Sequence, residues 1–232
     1  MTNYLARYLA GEHVQVTREL SRLAPCSEVL RAEAWGIAEA AMSRVAHNCR
    51  LIADRLSRRG YLFSVYCDDE DDGGPQPPIT PFDSQNAGMI DRLAARFGPL
   101  PITLECFWRT VGDVAFTGKH PDFPGMLDPL VVYPVEALLE EAEYAEREDD
   151  GCFHFALSPD DLHKDNVSGG MPYSVALPQG TFDFRLMHEG RDMDFLDYLR
   201  DVILVRGGFG GVDIAHPAGV PLAELTMELK PF

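Results

Sequence analysis

Between residues 38 and 56 the apolar side chains Ala38, Ala41, Met42, Val45, Cys49, Ile52 and Leu56 recur at helical spacing and form one stripe. A stripe of roughly five helical turns is not stable alone in water, so the rest of the chain must supply a surface that buries it. Gly60 offers the left-handed residue that closes such a helix, and Arg58 and Arg59 suit the negative end of its dipole. Shorter helices are expected over residues 3–10 and 13–23, with Pro25 separating them from the long one.

After Gly60 the pattern changes. Tyr61-Leu62-Phe63-Ser64-Val65-Tyr66 has the composition of a strand. The acidic run Asp68-Asp69-Glu70-Asp71-Asp72 and the Gly/Pro-rich stretch to Pro81 read as a loop, an excursion from one domain and not a boundary. Asp83 or Ser84 can cap a helix whose apolar face is Ile90, Leu93, Ala94 and Phe97, stopped by Gly98-Pro99. A second helix opens at Pro101, carries Leu104, Phe107, Trp108 and Val111 inward, and closes at Gly112. Val114-Ala115-Phe116 and Leu130-Val131-Val132-Tyr133 are short strand candidates. Pro134 then starts a helix with Val135, Leu138, Leu139 and Ala142 inward and Glu140, Glu141 and Glu143 outward.

Two later stretches alternate with period two. Phe153, Phe155 and Leu157 oppose Cys152, His154 and Ala156, and Phe182, Phe184 and Leu186 oppose Thr181, Asp183 and Arg185. With Tyr173–Leu177 between them they suggest an antiparallel meander. Asp194 can cap a last helix carrying Phe195, Leu196, Leu199 and Ile203, ended by Gly207-Gly208. The expected class is α+β, a mostly antiparallel central sheet flanked by helices. Residues 1–60 form an N-terminal helical extension and residues 61–232 the α+β domain. With 46% hydrophobic and 10% aromatic residues over 232 positions, the chain can bury a full core.

The charge excludes classes of partner. A formal net charge of −17 opposes nucleic acid and anionic membranes, which carry the same sign, and favours a cationic protein. The longest aliphatic cluster, Val202–Val205, is far too short for a membrane span. Met1-Thr2-Asn3-Tyr4 lacks the basic-then-apolar order of a signal peptide, so a cytoplasmic location is the expectation. Cys26, Cys49, Cys67, Cys106 and Cys152 show no metal or dithiol spacing and read as reduced, mostly buried thiols.

Few residues announce chemistry. Gly207-Gly208-Phe209-Gly210-Gly211 follows a helix and precedes no basic residue, the reverse of a phosphate loop, and reads as a turn. Asp161-x-His163-x-Asp165, with His120 and Asp122 as further ligands, is the one metal-like grouping; the simpler reading is a solvated loop with turn-type aspartates. His154 reads as a histidine of the core or of a sheet face. No Ser or Cys sits in a nucleophile elbow. The dominant surface features are the acidic run at 68–72 and the acids from Glu140 to Asp150. Either is an ordinary solvated face, or a cationic partner relieves the repulsion within it.

The segment Gly98-Pro99-Leu100-Pro101-Ile102-Thr103-Leu104-Glu105-Cys106-Phe107-Trp108-Arg109-Thr110-Val111-Gly112 resembles the signature of the SUKH superfamily, a Leu-Pro pair opening an aromatic-bearing helix that ends at Gly. Asp128-Pro129-Leu130, Gly169-Gly170, Tyr173, Gly207-Gly208-Phe209 and the closing Leu229-Lys230-Pro231-Phe232 are similar too, so the resemblance spans about residues 84–232. It implies an antiparallel sheet flanked by helices. It also implies a non-enzymatic role, because many bacterial members are immunity proteins that neutralise a cognate nuclease or deaminase toxin, while fungal members regulate cell-wall synthesis. The matched Leu100, Pro101, Trp108, Gly112, Gly169, Gly170, Gly207 and Gly208 look structural, and no catalytic residue, metal or cofactor is implied. Partner contacts are expected on Asp68, Asp69, Glu70, Asp71, Asp72, Glu140, Glu141 and Glu143. The rivals are a small metal-dependent hydrolase built on Asp161, His163 and Asp165, and an intracellular scaffold with several weak partners.

Overall fold

Three helices open the chain: α1 (Tyr4–Leu9), α2 (His13–Ser21) and α3 (Glu28–Arg58). They belong to a computed structural model that describes residues 3–23, 28–63, 76–83, 87–187 and 192–232. The helical stripe accounts for the centre of the molecule. Ala38, Ala41, Met42, Val45, Cys49, Ile52 and Leu56 are all fully buried, and α3 also begins earlier than the stripe, burying Ala34 and Ile37. Gly60 closes it as expected, at φ +86°, with the Tyr61 amide donating to the Leu56 carbonyl across the cap at 3.0 Å.

The partner of that stripe is α5 (Ile102–Thr110), which follows α4 (Ala87–Phe97). Helix α5 is apolar nearly all round, with Ile102, Leu104, Cys106, Phe107 and Trp108 buried, so it runs through the core between layers. Helices α1 and α3 share that core with the rest of the chain, from Tyr8 to Phe232. The remaining helices are α6 (Val135–Glu141), α7 (Phe195–Leu199), which runs on as a π-helical turn over Arg200–Val205, and the short α8 (Leu222–Leu225).

The strands are short and every pairing is antiparallel. Strand β1 (Leu62–Phe63) pairs with β4 (Gly118–Lys119); β2 (Ile79–Thr80), β3 (Asp113–Ala115) and β5 (Val131–Val132) run in the order β2-β3-β5. Strands β6 (Phe153–Ser158) and β7 (Tyr173–Leu177) form the longest ladder, and β8 (Arg185–Leu186) pairs with β9 (Met193–Asp194). Single contacts join the last three pieces. The Tyr133 amide donates to the Leu157 carbonyl at 2.7 Å, and Ser174 and Met187 exchange both of their main-chain bonds. The class is α+β, with several small antiparallel sheets among the helices.

Four local expectations need correction. Strand β2 lies in the stretch expected as loop, because Ile79 and Thr80 pair with Val114 and Asp113. The expected strand through Phe182 shrinks to Arg185–Leu186. Residues 181–183 serve helix ends instead: the Ile102 and Thr103 amides donate to the Thr181 and Phe182 carbonyls at 3.0 Å, satisfying the first turn of α5. Asp183, expected to face outward, is therefore buried. Thr103 Oγ1 donates to its Oδ1 at 2.8 Å and the Leu196 amide to its Oδ2 at 3.2 Å, so Asp183 caps α7 and Asp194 makes no side-chain cap bond. Finally, the helix expected to carry Ala142 and Glu143 ends at Glu141. Pro25, Ser84, residues 64–66 of the expected strand, Cys26, Cys67 and the acidic run 68–72 lie outside the described residues. Among the described residues, no helix is long and apolar enough to cross a membrane.

Candidate binding cleft and acidic face

Where α5 ends, the chain builds a cleft. Gly112 follows the helix at φ +93°, and a Cβ there would stand 1.9 Å from the Thr80 carbonyl oxygen, so only glycine lets β2 lie this close. The next residue, Asp113, opens β3 and pairs with Thr80. Across the gap, the Trp108 indole donates to the Tyr133 carbonyl at 3.0 Å and ties α5 to the corner where Pro134 turns the chain into α6. The result is a cavity of about 270 Å³ over Trp108, with Pro81, Phe82, Pro134 and Val135 as apolar walls.

Two carboxyls complete it, Asp113 and Glu136. Burial pushes the Asp113 carboxyl up; the Thr80 hydroxyl bonds it and opposes that rise, while the negative charge of Glu136 adds to it. Glu136 Oε2 is buried and makes no hydrogen bond among the described residues. Local sequence gives no sign of this pairing, since the two acids come from different elements and meet only because β3 and α6 converge.

Glu140 and Glu141 on the outer face of α6, and Glu143 in the turn that follows it, are all exposed as expected. Glu141 has a job inside the chain: its Oε2 accepts the Ala156 amide at 3.1 Å and holds α6 to β6, and burial pushes its carboxyl up. Asp150 also acts internally. Its Oδ1 accepts the Cys152 amide at 2.8 Å and its Oδ2 meets His154 Nε2 at 2.8 Å, and those two contacts hold its carboxyl below the usual range. His154 is thus a partly exposed histidine of the sheet face, answered by Asp150.

Asp165, His163 and His120 of the metal-like grouping are occupied separately. Asp165 Oδ2 accepts the Met126 amide at 2.7 Å, and His163 bonds Asp160, a residue outside the original grouping, through Nδ1. Asp160 is buried and also accepts the Leu162 and His163 amides at 3.0 and 3.1 Å. Burial alone would push its carboxyl up, and the contacts to His163 and Leu162 outweigh that, so it lies below the usual range. His120 is taken up with the Asp122 amide and the Arg59 carbonyl. Among the described residues, no group of three or more His, Cys, Asp or Glu side chains gathers as a metal site.

The residue this reading missed is the one in the middle. Lys164, between His163 and Asp165, points inward, where its Nζ lies 2.6 Å from Asp128 Oδ1 and 4.4 Å from the Tyr173 ring centroid. The Tyr173 hydroxyl donates to the other oxygen of Asp128 at 2.7 Å. The residues matched to the SUKH signature occupy core or turn positions: Leu100, Pro101 and Trp108 are buried, and Gly112, Gly169, Gly170, Gly207 and Gly208 all have positive φ. Burial pushes the Cys49 and Cys106 thiols up to about 12, which leaves them unreactive. No protein-family model, no curated protein and no solved structure matches the chain.

Proposed function

We propose that this chain is a non-enzymatic binding protein of the immunity type, related to the SUKH superfamily, that neutralises a basic toxin domain of the nuclease or deaminase kind. The observation that carries this reading is the distribution of acid. The net charge is −17, Glu140 on α6 and Glu143 just past its end stand exposed without an ion pair among the described residues, and the cleft at the start of α6 holds two further carboxyls. Such a face attracts a basic protein at long range and repels nucleic acid, so an inhibitor of this kind occupies the channel a phosphate backbone would use. The acidic run Asp68–Asp72 contributes five of the chain's negative charges. A cytoplasmic location belongs to this reading, and the free thiols of Cys49, Cys106 and Cys152 are compatible with it.

Co-expression with a basic toxin domain of the nuclease or deaminase kind, sought in the adjacent reading frames, tests the proposal. The expected result is stoichiometric inhibition of the toxin and a complex with a standard interface of about 800 Å² on each side and affinity on the order of nanomolar. Turnover of a small molecule by the purified chain, with no basic protein bound, would contradict it.

A further inference from the structure

The cleft between β2, β3 and α6 carries charge that the described chain does not answer. Among the described residues no Lys, Arg or His lines it, and two acids do. A buried carboxylate oxygen without a donor, as at Glu136 Oε2, is costly to keep and marks a place where a donor from outside would be welcome. We infer that the cleft is the receiving pocket for an arginine side chain of the cationic protein partner, with Glu136 and Asp113 binding the guanidinium and the apolar walls taking its stem. The inference rests on the binding function proposed above and names its anchor.

The dimensions and chemistry agree. A cavity of about 270 Å³ is below the roughly 300–1,000 Å³ of sites for drug-sized ligands and cofactors, and suits a single inserted side chain. Pro81, Phe82, Pro134 and Val135 offer an apolar lining, matched by three methylenes that bury readily while their charged head stays paired. A planar guanidinium bridges two carboxyls with parallel bonds and packs on aromatic faces such as those of Phe82 and Trp108, which a compact ammonium does less well. The acid that raises the charge of the site also lowers the cost of filling it. Burial and the neighbouring Glu136 both press the Asp113 carboxyl towards its neutral form, and an arriving cation reverses that pressure.

The test uses blocked pentapeptides Gly-Gly-Arg-Gly-Gly and their lysine and citrulline counterparts. The full chain carrying Trp35→Phe leaves Trp108 as its remaining indole. Saturable change of Trp108 emission with the arginine peptide, at least about tenfold weaker with neutral citrulline and weaker also with lysine, is the expected result. Amide shifts confined to residues 80–82, 112–113 and 134–136 would locate the binding, and Glu136→Gln should weaken it by about tenfold. No saturation with the arginine peptide, or equal binding of the citrulline or lysine peptide, would overturn the inference, and this comparison needs no variant of Glu136 to fold. A basic toxin partner bound equally well by the Glu136→Gln protein would refute the arginine anchor and leave the wider function standing. Arginine-peptide binding in the cleft, with no basic protein bound, would do the reverse.

Discussion

The ammonium of Lys164 and the carboxylate of Asp128 lie 2.6 Å apart with both side chains sealed from solvent, at 0% and 3% exposure. Two charges taken out of water are tolerable together and very costly apart. Here the pair also fixes a topology. Lys164 sits on the 159–170 loop and Asp128 on the approach to β5, in a left-handed backbone at φ +47° that Asn can also adopt.

Asp128→Asn therefore keeps the backbone and strands a buried ammonium. Unfolding by urea should show a loss of about 3–5 kcal/mol. A loss below about 1 kcal/mol would mean that Lys164 reaches water and that the pair is not the anchor of its loop.

Gly112→Ala sets a Cβ 1.9 Å from the Thr80 carbonyl oxygen in a backbone at φ +93°. Strand β2 must move away, and the cleft above Trp108 must change shape with it. A stability loss of at least about 2 kcal/mol is expected, with amide shifts at residues 79–82; an unchanged denaturation midpoint would contradict this.

Asp183 gives a pH prediction. Burial pushes its carboxyl up to about 7, against an ordinary value near 3.8, despite the bonds from Thr103 Oγ1 and the Leu196 amide. With the folded value above the unfolded one, its contribution is fully present below about pH 4 and is lost as pH rises through 7. Melting temperatures of the wild type and Asp183→Asn should therefore diverge in favour of Asn as pH goes from about 5 to 8. A constant difference across that range would show that Asp183 stays ionised throughout.

Asn48, fully buried in α3, closes a two-way bond with the tail: its Nδ2 donates to the Lys230 carbonyl and its Oδ1 accepts the Lys230 amide, both at 2.8 Å. Arg55, about two turns further on, donates to the Leu225 and Met227 carbonyls. Asn48→Leu orphans both groups of Lys230, and a cost of about 2–3 kcal/mol is expected. Hydrogen exchange should lose protection first over residues 225–232; unchanged exchange there would show that Arg55 and Phe232 hold the tail without Asn48.

What the sequence revealed and what it concealed divide along physical lines. The α3 stripe, the Gly60 cap and the β6 alternation were legible because each is a local rule, a period or a conformational need of one residue. Asp183 was misplaced by the same rule, since period two assigns it outward and only the needs of the α5 and α7 N-termini bring it in. Strand β2 was missed because Ile79 and Thr80 have no pattern of their own and exist as a strand only against β3. The same limit hid the candidate cleft. Asp113 and Glu136 look like two of many acids until the convergence of α5, β3 and α6 encloses them, and Lys164 looked like a spacer in a metal-like motif until the loop turned it inward.

The central claim is that an anionic, prefolded face captures a cationic protein. Stopped-flow association with the basic toxin partner, measured from low to high salt, tests it most directly. The wild type should associate faster than about 10⁷ M⁻¹s⁻¹ at low salt and slow steeply as salt is added. Reversal of Glu140 and Glu143 to Lys, or of Asp68, Asp69, Asp71 and Asp72 to Lys, should cut that rate at least about tenfold and flatten its salt dependence. Rates and salt slopes indistinguishable from the wild type in both reversed proteins would contradict the account.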